Sequence, residues 1–158
     1  MKKQKKFKTS LESDFLDLKK VNYNNNNHCK LLFDLLSNRS YGISHNKMPD
    51  YKSHLNFIKN NPYRKWFLVS YKEIIIGSVY ILYDNGIGLD IDSTYNSLID
   101  NILRKIFFKI KPLKPIPSIR NEFFHINVHP LNNEVKKILI NFGGYLSQET
   151  YLFRKTAR

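Results

Sequence analysis

Five histidines and one isolated strand carboxylate are the residues of this chain best suited to moving protons near neutral pH. An imidazole titrates close to pH 6.5, so it can take a proton from an amine or hydroxyl and give it back. His54 follows Asp50, which reads as a helix N-cap, so His54 belongs on a helix. His45 lies in the irregular stretch before it. His125 and His129 share one face of an alternating run with Asn127. Asp90 is a carboxylate inside the short apolar run Ile87-Gly88-Leu89-Asp90-Ile91. His125, His129, Asp90 and His54 form the candidate acid–base set. Tyr51, Tyr63 and Trp66 offer rings to stack on a sugar or base, and with His45 they are candidate substrate contacts. Arg39 and Arg120 could pair an acidic group bidentately. The ordinary fate of each of these side chains is packing or solvent.

Other chemistries lack their residues. A single cysteine, Cys29, excludes an intrachain disulfide framework. The scattered histidines do not give the paired spacing of a zinc site, so no metal is expected. No Walker loop or dinucleotide fingerprint is present. The net charge of +13 attracts polyanions in general without choosing among them. No reader motif supports nucleic acid, so the expected partner is a small molecule. No apolar run is as long as a membrane span, and no apolar stretch follows the lysine-rich start, so a cytoplasmic protein is expected. Nothing bears on oligomeric state.

The elements that must position these residues follow from periodicity. Residues 1–12 read as a basic disordered tail and 13–158 as a single domain. A strand over 14–21 precedes a helix carrying Leu31, Leu32, Leu35 and Leu36 on one face. A second helix follows Asp50 and stops at Asn60-Asn61-Pro62. Strands over 65–71 and 74–83 flank a tight Lys72-Glu73 turn, and Asn85-Gly86 turns into a strand over 87–91. From Ser93 the pattern is helical, with Leu98, Ile99, Ile102, Leu103 and Ile106 on a wide apolar face. A strand over 122–129, a helix over 131–142 stopped by Gly143-Gly144, and a last strand over 145–153 complete the order β-α-α-β-β-β-α-β-α-β.

That order is similar to the GNAT acyltransferase superfamily. His129-Pro130-Leu131-Asn132 followed by Gly143 resembles the family segment after its fifth strand, and Ile87-Gly88-Leu89 stands where its fourth strand runs. Ile43-Ser44-His45, Pro49, His54, Phe57, Asn61-Pro62-Tyr63, Trp66 and Ile76-Gly77-Ser78-Val79-Tyr80 look like a divergent bacterial group of GNAT-like proteins linked to sugar and surface-glycan (nonulosonate) pathways. The resemblance implies an α/β fold with a mixed, mostly antiparallel sheet, flanked by helices and splayed between strands 4 and 5. It implies acyl-CoA-dependent N-acyl transfer to an amino sugar or nucleotide-linked sugar, with acetyl-CoA or another acyl-CoA as cofactor. It places cofactor contacts at Leu89, Ile91, Ser93, Thr94 and Asn132.

One stretch departs from the family. GNAT proteins hold the CoA pyrophosphate on free amides at a glycine-rich helix start after the fourth strand. Here that place reads Asp92-Ser93-Thr94-Tyr95-Asn96-Ser97, with neither glycine nor arginine. Asp92, Ser93 and Thr94 are good caps that would occupy the amides themselves, and Asp92 would repel phosphate. Two expectations stand together: a transferase with a degenerate phosphate loop, or a catalytically inactive GNAT-fold binding module.

Overall fold

The computed structural model describes residues 13–42, 47–60 and 62–153. Its centre is a four-stranded antiparallel sheet in the order β1-β2-β3-β4, with β1 at Leu16–Lys20, β2 at Lys65–Tyr71, β3 at Ile74–Ile81 and β4 at Ile87–Ile91. Lys72 and Glu73 both take positive φ, 49° and 66°, giving the twist that a two-residue hairpin between β2 and β3 requires. The β2–β3 register slips at Val69 and Ser70, which leaves Ile76 as an extra residue on β3.

Each sheet face is covered. Val69, Val79, Ile81 and Ile87 meet Ile102 and Ile106 of α3, the helix Ile99–Lys109. The opposite face presents Trp66 and Leu68 to Cys29 and Leu32 of α1 (Asn26–Ser37) and Ile58 of α2 (Tyr51–Lys59). Asn25 and Asp50 cap α1 and α2 through their side chains. The helical pattern from Ser93 resolves into a 3-10 turn, Ser93–Leu98, followed by α3. The last helix, α4 (Asn133–Phe142), ends on Gly143 at φ 108° and docks on α3 through Val135 beside Ile99 and Leu103.

Two expected strands are not laddered. The run 122–129 touches the sheet at one parallel bridge, His125 to Gly86, where the Ile87 amide donates to the His125 carbonyl. Its alternation serves another purpose: Phe124, Ile126 and Val128 pack into the clusters around α3 and α4. The run 145–153 forms no strand, and Tyr145, Leu146, Tyr151, Leu152 and Phe153 are exposed. A strand needs a paired neighbour as well as a pattern, and 122–129 supplies no ladder. No helix among the described residues is long and apolar enough to cross a membrane.

One buried side chain ties the turn before β4 to the connector that follows α3. Asn85 is fully buried at φ 71°. Its side-chain amide donates to the carbonyls of Leu113 (2.9 Å) and Asn121 (2.8 Å), and its oxygen accepts from the Leu113 amide at 2.7 Å. These bonds tie the β3–β4 turn to the connector that carries His125. Asn85→Ala leaves three backbone groups of the connector without their partner, so an equilibrium urea titration should show a loss of about 1–3 kcal/mol.

Candidate active site

A cavity of about 260 Å³ lies between the sheet and the α1–α2 pair. Cross-strand register builds its floor. Trp66, Tyr80 and Gly88 form one row, and Leu68, Ser78 and Asp90 form the next, all pointing to the α1–α2 side. Gly88 matters because Tyr80 lies across it: a Cβ there would sit 1.9 Å from the Tyr80 ring. The absence of a side chain lets Tyr80 stack on Tyr63 at 4.1 Å and 9°, with Trp66 edge-on to both. His54 and Phe57 of α2 and Leu32 and Leu36 of α1 complete the walls.

The charged group in the floor is paired. Arg39, just past α1, donates through Nε (3.1 Å) and Nη2 (2.8 Å) to the two oxygens of Asp90. The Asp90 side chain is only 12% exposed, so this pair sits largely out of water. Burial works against the Arg39 charge, but the hydrogen bond and charge of Asp90 hold its pKa above the usual value. Burial pushes the phenol of Tyr63 well above the ordinary tyrosine range and raises that of Tyr80. His54 is buried with no partner for Nε2, and burial lowers its pKa, so it stands as a neutral imidazole. Trp66 Nε1 is likewise buried and unpartnered.

The buried histidines have a consequence for stability. His28 also titrates below its usual value, through burial and then the Lys19 charge, while its Nδ1 accepts from the Asn22 amide at 3.0 Å. Both folded pKa values lie below the unfolded value near 6.5, so the unfolded chain takes up protons first as the pH falls. The contribution of these two histidines to stability is therefore flat above about pH 6.5 and declines below it, towards the folded pKa values. His54→Gln should flatten part of that decline in melts taken between pH 7.5 and 5.

The outer edge of β4 is open beyond its base. Ile87 turns its amide outward to His125, so by alternation Leu89 and Ile91 turn their amides and carbonyls to the same edge. No described residue pairs with them there. Their side chains pack towards α3 and α4. At the end of β4 the helix start is closed. Asp92 accepts from the amide and the hydroxyl of Thr94, and its carbonyl accepts from the Tyr95 amide at 2.8 Å. These Thr94 bonds hold the Asp92 carboxyl below its usual range, so it is charged at neutral pH. Asn96 then donates to Glu134 at 2.8 Å, clamping the turn onto α4.

The cavity brings together Asp90, His54, Tyr63 and Trp66 of the sequence-derived candidates. His125 and His129 lie elsewhere. His125 sits at the bridge, with Nε2 3.9 Å from Asp84 and Nδ1 unpartnered. His129 stacks on Tyr41 at 5.1 Å and accepts through Nδ1 from the Leu131 amide. Asn132 caps α4 by accepting from the Val135 amide. Ser93 and Thr94 belong to the closed turn. Tyr51 packs edge-on to Phe33 at the surface. His45 falls outside the described residues. Arg120 donates to the carbonyls of Lys114 and Tyr83 and so braces the connector. Sequence reasoning missed Ser78 and Tyr80 as cavity residues, although strand alternation from Trp66 across the hairpin carried the signal.

The architecture is that of the GNAT-type acetyltransferases, a four-stranded antiparallel sheet flanked by helices. A possible acetyltransferase from Clostridium difficile 630 superposes with a TM-score of 0.54 at 12% identity, over 91% of this chain and 99% of that one. The aminoglycoside N-acetyltransferase AAC(6')-Iy, solved with a CoA-containing bisubstrate analogue, gives 0.55 at 14% identity, over 90% and 99%. An integron cassette protein from the mobile metagenome of V. cholerae gives 0.58 at 14% identity, over 90% and 93%. No protein-family model and no curated protein sequence matches the chain.

Proposed function

We propose that the protein is an acyl-CoA-dependent N-acyltransferase whose acceptor amine sits in the cavity beside Asp90. One observation carries this reading: a cavity lined by a buried imidazole lies on the sheet beside a β4 edge whose outward amides at Leu89 and Ile91 have no partner among the described residues. Acyl-CoA would supply the activated acyl group. The Leu89 and Ile91 amides, without partners among the described residues, would donate hydrogen bonds to it along the open edge. His54, which lines the cavity as a neutral imidazole, would accept the proton released by the amine once its buried Nε2 is brought into reach. The Asp90–Arg39 pair gives the amine a polar floor.

The finer reading is an amino-sugar acceptor, free or nucleotide-linked. The aromatic walls of Tyr63, Tyr80 and Trp66 suit the C–H face of a pyranose ring. A metagenomic aminoglycoside acetyltransferase of the same fold is known in complex with sisomicin and with trehalose. The closed turn at Asp92 favours a second reading, a GNAT-fold binding module without turnover. Thiol release from acetyl-CoA, measured across a panel of amino sugars, separates the two. Acceptor-dependent release that is lost in His54→Ala supports the transferase. Sugar binding with no release supports the module.

A further inference from the structure

The cavity's charge is balanced before any ligand arrives. Among its described lining residues, only Arg39 and Asp90 carry charge at neutral pH, and each carboxylate oxygen already accepts from the guanidinium. His54 and the two phenols are held in their neutral forms by burial. Ser78 and Tyr80 add neutral polar groups to the same lining. Several ammonium groups would thus enter a site with no unpaired anion, on a chain of net charge +13.

We infer that Arg39 is a specificity-determining residue: by pairing with Asp90 it restricts the cavity to an acceptor with a single amine and excludes polyamines. A lone amine can enter uncharged, which is also the form that attacks an acyl group. This rests on the cavity being the amine site, and it sets the chain apart from a site built for polycationic aminoglycosides. Removing Arg39 leaves Asp90 as an unpaired anion and should admit a polycation. Removing the Asp90 charge leaves Arg39 unpaired and should admit an anion.

Calorimetry without acyl-CoA tests this with glucosamine, spermidine and glucosamine 6-phosphate as probes. The unaltered protein should bind glucosamine more tightly than spermidine. Arg39→Met should bind spermidine at least about tenfold more tightly than the unaltered protein does, and Arg39→Met/Asp90→Asn should lose that gain. Asp90→Asn alone should shift preference towards glucosamine 6-phosphate by a similar factor, which keeps the test decisive if Arg39→Met does not fold. Equal or tighter binding of spermidine by the unaltered protein overturns the inference. So does a folded Arg39→Met with no gain, or an Asp90→Asn with no shift. Acetyl-CoA is titrated separately: its failure to bind counts against the transferase reading and leaves the charge preference to be judged on its own.

Discussion

Gly88→Val should cost about 1–3 kcal/mol of stability and abolish acceptor binding. Even a Cβ at residue 88 would meet the Tyr80 ring at 1.9 Å, and the two extra methyls of valine leave the ring no room on the sheet. Tyr80 cannot retreat by a small rotation, because it is stacked on Tyr63 and held by the edge of Trp66. The ring must swing into the cavity, or β4 must part from β3. Both routes remove the space beside Asp90, since Gly88 and Asp90 are neighbours on one strand face. Urea titration reads the stability, and calorimetry with glucosamine reads the cavity. Pairing Gly88→Ala with Tyr80→Leu should recover stability relative to Gly88→Ala alone. A Gly88→Val protein as stable as the parent, with binding intact, would show that Tyr80 does not lie where the structure puts it.

Asp92→Gly should tighten acetyl-CoA binding by roughly tenfold to a hundredfold while barely changing stability. Two effects act together. The exposed Asp92 carboxylate repels a phosphate by about 1 kcal/mol at 4 Å in water, a factor of roughly five. It also occupies the Thr94 amide, whose release provides a donor to an anion worth about 1.5–3 kcal/mol when fully formed. Glycine at an N-cap costs only a few tenths of a kcal/mol, so a thermal melt should move little. Because its Thr94 bonds keep Asp92 ionised well into acid, the parent should show the weaker binding throughout the neutral range. Unchanged affinity in Asp92→Gly would place the phosphates elsewhere than this turn.

The sheet was largely legible in the sequence, because short-range physics decides it. β-Branched runs on either side of Lys72-Glu73 and Asn85-Gly86 set β2, β3 and β4, and their alternation sets the faces. The caps at Asp50 and Asp92 were equally readable, since an N-cap depends on a residue and its next few amides. The runs 122–129 and 145–153 were not, because a ladder depends on a distant partner that a local pattern does not contain. Asn85 illustrates the same limit. Its turn conformation follows from Asn-Gly, whereas its bonds to Leu113 and Asn121 span 28 and 36 residues. The site was legible in part. Asp90, Arg39, His54, Tyr63 and Trp66 stood out by type, but the pairing of Arg39 with Asp90 crosses 51 residues and turns two separate candidates into one neutral unit. His125 and His129 stood together by alternation, whereas one sits at the bridge to Gly86 and the other stacks on Tyr41.

The central claim is that the open edge of β4 carries the acyl-CoA arm beside the cavity. Amide hydrogen exchange of β4 with and without acetyl-CoA tests it most directly. Saturating acetyl-CoA should slow exchange at Leu89 and Ile91 and leave Gly88 and Asp90, already laddered to β3, unchanged. Unaltered exchange at Leu89 and Ile91 under saturating acetyl-CoA would contradict it.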